Sequence, residues 1–380
     1  MEVDACAFNI ADTIIRYDQL EPKKYIWDEW FFYENLYSFS RVYADFLAVF
    51  KTEAETFDYV CSLGKSGFPL AAKLAYDLDK PLIISSLSEF IFQNRTFVLG
   101  LPPDLDIKGK TLFCVDSHTR TGGTIHLFKK LIKAKMPDKV RYSVIFDCRE
   151  EKARRLSEVR SLYGWKAVKD SLLKVVRPDR VKDPTFWMKD DRYWLTYVSP
   201  NEWASECSAA GRIPAPTLAL EEGEAITLTK QGQVQPLWLF LKPHIWKRFT
   251  NNVLGLMGDN RADTVVALSV AAIPLAFTLS FLLHESAPER GVRFLFLMNE
   301  LPEYYAQRLE NREGVVLCDD AVLTGGLLYA VHSLLLKGKK EKTKNVITIF
   351  DSVQFPEEGR RYLKFVLSDS PEKYIAAFSK

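Results

Sequence analysis

The sequence contains no paired cysteines, no excess of either charge and no low-complexity tail. Its six cysteines are scattered, without a Cys-x-x-Cys pair or a metal-ligand spacing, which favours a reducing compartment. Three of them, Cys61, Cys114 and Cys318, lie inside apolar runs, where cysteine usually behaves as a small buried hydrophobe. The 51 basic residues nearly balance the 49 acidic ones, and a net charge of +2 excludes a general attraction to nucleic acid or to an anionic membrane. Any anionic ligand must therefore be held by local geometry.

Targeting and membrane signals are also scarce. Residues 1–20 are acidic early and lack a basic start followed by an apolar core, so we expect no signal peptide and a cytoplasmic protein. One segment, TVVALSVAAIPLAFTLSFLL at 264–283, is uncharged over twenty residues, which is the length of a membrane-spanning helix. Because Pro274 interrupts it and no second span accompanies it, we expect it to lie inside a soluble domain without contact to a membrane.

The composition is that of a globular protein with a sizeable core. Hydrophobic residues make up 47% of the chain and charged residues 26%. A length of 380 residues is too great for one ordinary domain and suits two, with room for an added lobe.

Two sequence patterns occur in the same order in both halves of the chain. The first is a strand-turn-helix pattern, DYVCSLGKSGFPLAAKLAYDL from Asp58 and DTVVALSVAAIPLAFTLSFLL from Asp263. The second is an apolar strand that runs into an acidic, glycine-containing loop, TLFCVDSHTRTGGTIHLFKKLI and VVLCDDAVLTGGLLYAVHSLLL. In the second pattern Asp116 corresponds to Asp319.

A third pattern completes the repeat. The strand SVIFD ends at Asp147, and the strand ITIFD ends at Asp351. The offsets between the two halves are nearly equal for all three patterns, and the order is colinear. This arrangement indicates a duplication.

Each pattern predicts a short buried strand followed by a loop, and apolar strands of this kind suit a parallel sheet covered on both faces. Successive strand-helix units predict a doubly wound α/β sheet, whose ligands bind outside the carboxyl ends of the strands. We therefore expect two such domains in tandem, with added aromatic-rich segments that pack against them. The predicted boundaries are 1–180 for the first domain with an N-terminal extension, 181–260 for a connecting or hood region, and 261–380 for the second domain.

The Thr-Gly-Gly-Thr turn at 121–124 suits the binding of a phosphate. A turn that leads into a helix presents backbone N–H groups to an anion, and glycine lets the backbone approach without a Cβ in the way. The carboxylate of Asp116, just before the turn, can accept hydrogen bonds from vicinal hydroxyls such as those of a ribose. The segment therefore predicts a site that holds a 5′-phosphate and a ribose together.

This segment resembles the phosphoribosyl pyrophosphate (PRPP) loop of type I phosphoribosyltransferases, in which four apolar residues precede two acids, three variable positions and Thr-Gly-Gly-Thr. The first pattern resembles the diphosphate loop of that family, here Gly64-Lys65-Ser66-Gly67 ahead of Pro-Leu-Ala. The third resembles the strand whose terminal acid borders the base or the metal. The resemblance covers the core of both halves and implies phosphoribosyltransferase-like domains.

Each copy departs from the family pattern at different positions. In the first copy Ser117 replaces the second acid, while the Thr-Gly-Gly-Thr turn is intact. The second copy keeps both acids, but its turn ends in Leu327, and its diphosphate-loop counterpart is 270–272, Val-Ala-Ala, without glycine or a polar side chain. We therefore expect PRPP to bind the first copy, and at most a 5′-phosphate and a ribose to bind the second.

The resemblance implies transfer of a phosphoribosyl group to a base nitrogen, with Lys65 and Asp116 as the catalytic residues. Mg²⁺ is then the expected cofactor, held through the oxygens of PRPP, with Asp147 as a candidate neighbour of the metal. Arg120 stands where purine-salvage members often have an acid, which argues against ordinary hypoxanthine or guanine salvage. The expected substrate-binding residues are Gly64, Ser66, Gly67, Arg120, Thr121, Gly122, Gly123 and Thr124 in the first copy, and Asp319, Asp320, Thr324, Gly325 and Gly326 in the second.

Several functions stay open at this point. The chain is either an enzyme that uses PRPP and an unidentified acceptor, or a sensor of PRPP or a nucleotide that has lost turnover, including an effector in a bacterial defence system. A PRPP synthetase is disfavoured because its ATP-binding loop is not found. His118, inside the first PRPP loop, either contacts substrate or fills an apolar position. Type I enzymes commonly pair, so the halves could form a pseudo-dimer, with a homo-oligomer or a larger complex as a further expectation.

Overall fold

A computed structural model of the protein describes residues 15–17, 25–27, 29–90, 96–99, 105–119, 122–149, 159–164, 166–168, 194–197, 219–220, 224–225, 236–257, 262–269, 271–296, 309, 312, 314–322, 343–351 and 374–379. The chain divides into two compact units, Met1–Ala204 and Ser205–Lys380. The division falls within the stretch 181–260 that was predicted to connect two domains.

The first unit contains four helices and ten strands among its described residues. The helices are α1 (Glu29–Glu34), α2 (Leu36–Glu55), α3 (Phe68–Leu78) and α4 (Gly123–Lys133). The strands are β1 (Ile15–Tyr17), β2 (Tyr25–Trp27), β3 (Tyr59–Ser62), β4 (Leu82–Ile84), β5 (Ser86–Phe90), β6 (Thr96–Leu99), β7 (Thr111–Thr119), β8 (Lys139–Asp147), β9 (Val159–Tyr163) and β10 (Trp194–Tyr197).

Five of these strands form a parallel sheet in the order β4-β3-β7-β8-β9. From β3 the chain adds β4 on one side, and then returns to add β7, β8 and β9 on the other. The direction of winding therefore changes between β3 and β7. In open parallel sheets the carboxyl ends at such a point flank a crevice that binds ligands.

Helices cover both faces of this sheet. Phe50 of α2 lies 6.5 Å from Phe113 of β7, and Phe128 of α4 lies 6.4 Å from Tyr142 of β8, between ring centroids. Phe113 pairs with Arg141, the residue before Tyr142. Because successive side chains of a strand point to opposite faces, α2 and α4 pack on opposite sides. The predicted parallel α/β sheet is confirmed for this unit.

The other strands of the first unit form smaller sheets. Strands β1 and β2 pair in an antiparallel ribbon, and β6 lies between β5, which is antiparallel to it, and β10, which is parallel. Helix α4 contacts β10, so the three-stranded sheet lies beside the helix that follows the Thr-Gly-Gly-Thr turn.

The second unit contains two helices and seven strands among its described residues. The helices are α5 (Pro243–Met257) and α6 (Ile273–Ser286), and α5 packs against α6. The strands are β11 (Ala219–Leu220), β12 (Glu224–Ala225), β13 (Thr264–Ala267), β14 (Arg293–Phe296), β15 (Val315–Val322), β16 (Thr343–Asp351) and β17 (Tyr374–Ser379).

The parallel sheet of the second unit has the order β14-β13-β15-β16-β17, which matches that of the first unit strand for strand. An equivalent backbone hydrogen bond also follows β3 in the first unit and β13 in the second. Leu63 N–H donates to the Val115 carbonyl at 3.0 Å, and Leu268 N–H donates to the Cys318 carbonyl at 2.8 Å. The two sheets therefore have the same strand order. In each unit a backbone hydrogen bond ties the residue after β3 or β13 to the neighbouring strand, β7 or β15.

The uncharged run at 264–283 is divided between two elements. Its first residues form the buried interior strand β13, and its last residues belong to α6, which is buried around most of its circumference. A strand and a helix that are covered on all sides need apolar residues throughout. None of the described helices is long and apolar enough to cross a membrane.

The three cysteines in apolar runs are buried, as predicted. Cys61 of β3 pairs in register with Cys114 of β7, and Cys318 lies in β15. Burial raises the pKa of the Cys318 thiol well above its usual range, and the adjacent Asp319 carboxylate adds to this rise. Burial likewise raises the pKa of Cys114. These thiols stay protonated and pack as hydrophobic side chains.

His284, at the end of α6, predicts a pH dependence of stability. It is buried, its Nδ1 has no hydrogen-bond partner among the described residues, and burial lowers its pKa below the ordinary value. The unfolded chain therefore binds the extra proton more readily as the pH falls below about 6.5, and acidification lowers the free energy of unfolding. We expect His284→Leu to gain stability relative to wild type between pH 7.5 and pH 5.5, measured by urea unfolding at both values. An equal difference between the proteins at the two pH values would contradict this expectation.

Candidate functional site

The two loops predicted to bind anions lie at the carboxyl ends of β3 and β7, where the winding of the sheet changes direction. The first loop, Gly64 to Gly67, follows β3, turns through a short 3₁₀ helix and leads into α3, which has Pro69 in its first turn. Proline suits the first helical turn because that turn leaves backbone N–H groups without intrahelical partners. The second loop follows β7 and leads into α4.

Gly67 is required by the close approach of the first loop to β7. A Cβ atom at this position would lie 2.7 Å from the Val115 carbonyl oxygen and 3.2 Å from the Asp116 Cα. Real Cβ atoms do not approach a carbonyl oxygen so closely, so any side chain would push the loop away from β7. The Gly67 N–H closes the turn by donating to the Gly64 carbonyl at 3.0 Å.

Asp116 is the acid at which the two loops meet. Only 6% of it is exposed, and its Oδ1 accepts hydrogen bonds from Ser66 Oγ at 2.6 Å and from the Ser117 N–H at 2.8 Å. A Cβ built on Gly64 would lie 3.8 Å from Asp116 Oδ2 and 3.7 Å from Thr124 Cγ2. Residues of both predicted anion loops therefore surround one carboxylate. An ionised carboxylate accepts hydrogen bonds and has about four acceptor positions.

The second loop turns into α4 through a glycine. Gly122 adopts a left-handed conformation with φ of +77° and caps α4, and its carbonyl accepts from the His126 N–H at 3.0 Å. This φ is open to glycine at little cost, and the first N–H groups of a helix have no intrahelical partners. Arg120, Thr121 and the side chain of Lys65 lie outside the described part of the chain.

Ser117, which stands at the position of the second acid, is buried. Its Oγ lies 2.9 Å from His118 Nδ1, and only 1% of the residue is exposed. The serine is thus engaged by its neighbour, and the site has one carboxylate fewer than the family pattern. Because the Ser117 N–H donates to Asp116, this contact places His118 next to the residue that bonds Asp116.

Asp147, at the end of β8, has a partner that sequence reasoning missed. Arg149 donates from Nε to Oδ1 and from a terminal nitrogen to Oδ2, both at 2.8 Å, and its N–H reaches Oδ1 at 3.1 Å. Both side chains are buried, so each charge compensates the other. An arginine two residues after a strand-terminal acid is too common a pattern to reveal this pair. Its consequence is that direct coordination of a metal by Asp147 would require displacement of Arg149.

The equivalent loop of the second unit keeps the turn but has different residues. Asp319 is buried at 5% exposure near the end of β15, but Ala272 stands where the first unit has Gly67. The Ala272 N–H donates to the Ser269 carbonyl at 3.2 Å, as the Gly67 N–H does to the Gly64 carbonyl, and it also lies 3.2 Å from Ser269 Oγ. The side chain of Asp320 and the predicted site residues Thr324, Gly325 and Gly326 lie outside the described part of the chain.

No protein-family model and no curated protein matches the chain. Among solved structures, it is similar to orotate phosphoribosyltransferase from Aeropyrum pernix, at 21% identity and a TM-score of 0.33, over 45% of this chain and 97% of that one. It is also similar to adenine phosphoribosyltransferase from Thermoanaerobacter pseudethanolicus, at 20% identity and a TM-score of 0.32, over 41% and 97% of the two chains. A third similarity, to UMP synthase of Leishmania donovani, has 16% identity and a TM-score of 0.30, over 44% and 37%. At identities and TM-scores this low, the similarities carry no inference about activity.

The close approach at Gly67 predicts a sharp difference between two alanine variants of the first loop. Gly67→Ala forces a Cβ against the Val115 carbonyl, and we expect it to lower the free energy of unfolding by about 1–3 kcal/mol, the usual cost of overpacking. Gly64→Ala meets its neighbours only at ordinary contact distances, and we expect it to cost less than about 0.5 kcal/mol. Urea unfolding of both variants measures the difference. Equal losses would show that the loop does not lie against β7 as described.

Proposed function

We propose that the first unit binds PRPP, or a related nucleotide, and transfers its phosphoribosyl group to an acceptor that is not yet identified. The observation that carries this proposal is the proximity of Gly64 to Thr124 and Asp116. It occurs where the winding of the parallel sheet changes direction, between β3 and β7. Two loops that can each hold an anion flank one carboxylate that can hold a diol. PRPP has the same order of groups, with a phosphate and a diphosphate on opposite sides of a ribose.

Each part of the ligand has a counterpart in the site. The 5′-phosphate would lie against the N–H groups of Gly122, Gly123 and Thr124 at the start of α4, where the helix dipole favours negative charge. The ribose hydroxyls would donate to Asp116. The diphosphate would lie against the Gly64–Gly67 loop, with Lys65 supplying positive charge.

Mg²⁺ fits this site as a companion of the ligand. No three His, Cys, Asp or Glu side chains cluster as metal ligands among the described residues. Mg²⁺ in phosphate sites usually takes its oxygens largely from the phosphates and from water. The residues that would hold it indirectly are Asp116, through the ribose hydroxyls, and the first loop, through the diphosphate. When bound, the ion would neutralise charge on the leaving diphosphate.

In the proposed reaction the bond from the ribose C1 to the diphosphate oxygen breaks, and a bond from C1 to a nucleophilic atom of the acceptor forms. The bond pair leaves with the diphosphate, and positive charge develops on the ribose. The protein would contribute by positioning and by electrostatics. Asp116 would fix the ribose, and Lys65 with the N–H groups of the first loop would stabilise the departing diphosphate.

A PRPP or nucleotide sensor without turnover is the second candidate. Two observations favour it. Ser117 replaces an acid and is engaged with His118, and Ala272 in the second unit stands where the first unit needs glycine. A sensor would bind the ligand through the same residues of the first unit but release no diphosphate. The pseudo-dimer, a larger assembly and a role in defence stay predictions.

Calorimetric titration of PRPP with Mg²⁺ tests the binding proposal. We expect wild type to bind, and Asp116→Asn to weaken binding roughly 10- to 100-fold, because a charged hydrogen-bond acceptor for the ribose is lost. Asp138→Asn is the matched control, because Asp138 is an exposed acid on the turn before β8. Gly325→Val, in the second copy, should leave binding to the first copy unchanged. No binding by wild type would remove both the enzyme and the sensor as PRPP-based functions.

Diphosphate release separates the two candidates. Wild type incubated with PRPP, Mg²⁺ and a panel of purine, pyrimidine and orotate acceptors should release diphosphate if the first unit is an enzyme. Asp116→Asn should then lose this release, while Asp138→Asn keeps it. Binding without release for any acceptor, together with a ligand-induced change in proteolysis, would support the sensor.

A further inference from the structure

The aromatic segment before the first sheet reaches the proposed diphosphate loop through one side chain. Tyr33, near the end of α1, is fully buried, and its hydroxyl donates a hydrogen bond to the backbone carbonyl of Ser66. The sequence spacing of 33 residues between them conceals this contact. Packing accounts for an aromatic ring at this position, but it does not account for the hydroxyl.

The position of the Tyr33 hydroxyl is set by its surroundings. The ring packs against Phe32 and Phe39, with centroids 5.3 Å and 5.6 Å away. Phe32 in turn packs on Phe146 of β8 at 5.7 Å. A buried ring with two rotatable bonds, held between neighbours that rest on the sheet, keeps its polar tip at a constant place. The hydroxyl therefore fixes the position of the loop relative to the sheet.

The peptide between Ser66 and Gly67 is constrained on both sides. Its carbonyl accepts from Tyr33, and its N–H donates to the Gly64 carbonyl at 3.0 Å. The Ser66 hydroxyl donates to Asp116 at 2.6 Å. A loop that binds an anion must keep its carbonyl oxygens away from the negative charge. The bond from Tyr33 occupies one such carbonyl and fixes its direction.

We propose that Tyr33 is a positioning residue for the diphosphate half of the site. It holds the Ser66 carbonyl in place, and thereby aligns the loop with the Asp116 carboxylate through the Ser66 hydroxyl. The inference rests on the proposed function, because it assigns the diphosphate group of the ligand to this loop. The 5′-phosphate half is assigned to the other loop, at the start of α4.

Tyr33→Phe tests the role because it removes only the hydroxyl. Calorimetry with three probes, each with Mg²⁺, separates the halves of the site: PRPP, inorganic diphosphate and ribose 5-phosphate. We expect a loss of roughly three- to tenfold in affinity for PRPP and diphosphate, the effect of one hydrogen bond, and no change for ribose 5-phosphate. Tyr43→Phe is the matched control, since Tyr43 is a buried tyrosine whose hydroxyl donates to Asp77 at 2.6 Å. It should change none of the three.

Amide hydrogen exchange of the ligand-free protein gives a second readout. Tyr33→Phe should speed exchange at residues 64–67, while Tyr43→Phe should not. Unchanged exchange at 64–67, or equal losses of affinity for all three probes, would overturn the proposal. If wild type binds none of the probes but exchange responds as expected, the PRPP-binding function fails and the proposed role in diphosphate binding falls with it. Only the positioning of the loop by the Tyr33 hydroxyl would then remain supported.

Discussion

The close contact between the first loop and the end of β7 is the constraint on which the site depends. Gly67 lies where a single added carbon would meet the Val115 carbonyl, and Leu63 binds the same carbonyl through its N–H. This contact brings Ser66 within hydrogen-bond distance of Asp116. Through this contact, Ser66 of the first loop and the Ser117 N–H of β7 bond the same carboxylate.

The same constraint distinguishes the two units. Both have the same sheet order, and both tie the first loop to the second strand through a backbone hydrogen bond. The second unit nevertheless has Ala272 in place of Gly67, and the Ala272 N–H donates to the Oγ as well as to the carbonyl of Ser269. The shared sheet is therefore compatible with different chemistry, because function resides in the site and the same sheet can carry different sites. The first unit keeps glycine at the close approach to the neighbouring strand.

Much of this architecture could be predicted because the informative signals are local. Strand, turn and helix follow one another within about twenty residues in each pattern, and Gly67 and Gly122 mark positions where the backbone needs glycine. The run at 264–283 was ambiguous because a buried strand followed by a buried helix has the same composition as a membrane span. The burial of β13 and of most of α6 resolves it.

Contacts between distant parts of the chain could not be predicted. Tyr33 is one of many aromatic residues in its segment, and only the fold brings its hydroxyl to Ser66. Arg149 lies close to Asp147 in sequence, but its bidentate geometry depends on how the chain turns after β8. Side-chain hydrogen bonds of this kind are set by tertiary packing, for which sequence periodicity has no signal.

The most direct test of the central claim is a crystal structure of the protein with PRPP and Mg²⁺. The account predicts the 5′-phosphate at the N–H groups of 122–124, the ribose hydroxyls within hydrogen-bond distance of Asp116, and the diphosphate along Gly64–Gly67. PRPP bound instead beside Asp319 in the second unit, or with its diphosphate away from the first loop, would contradict it.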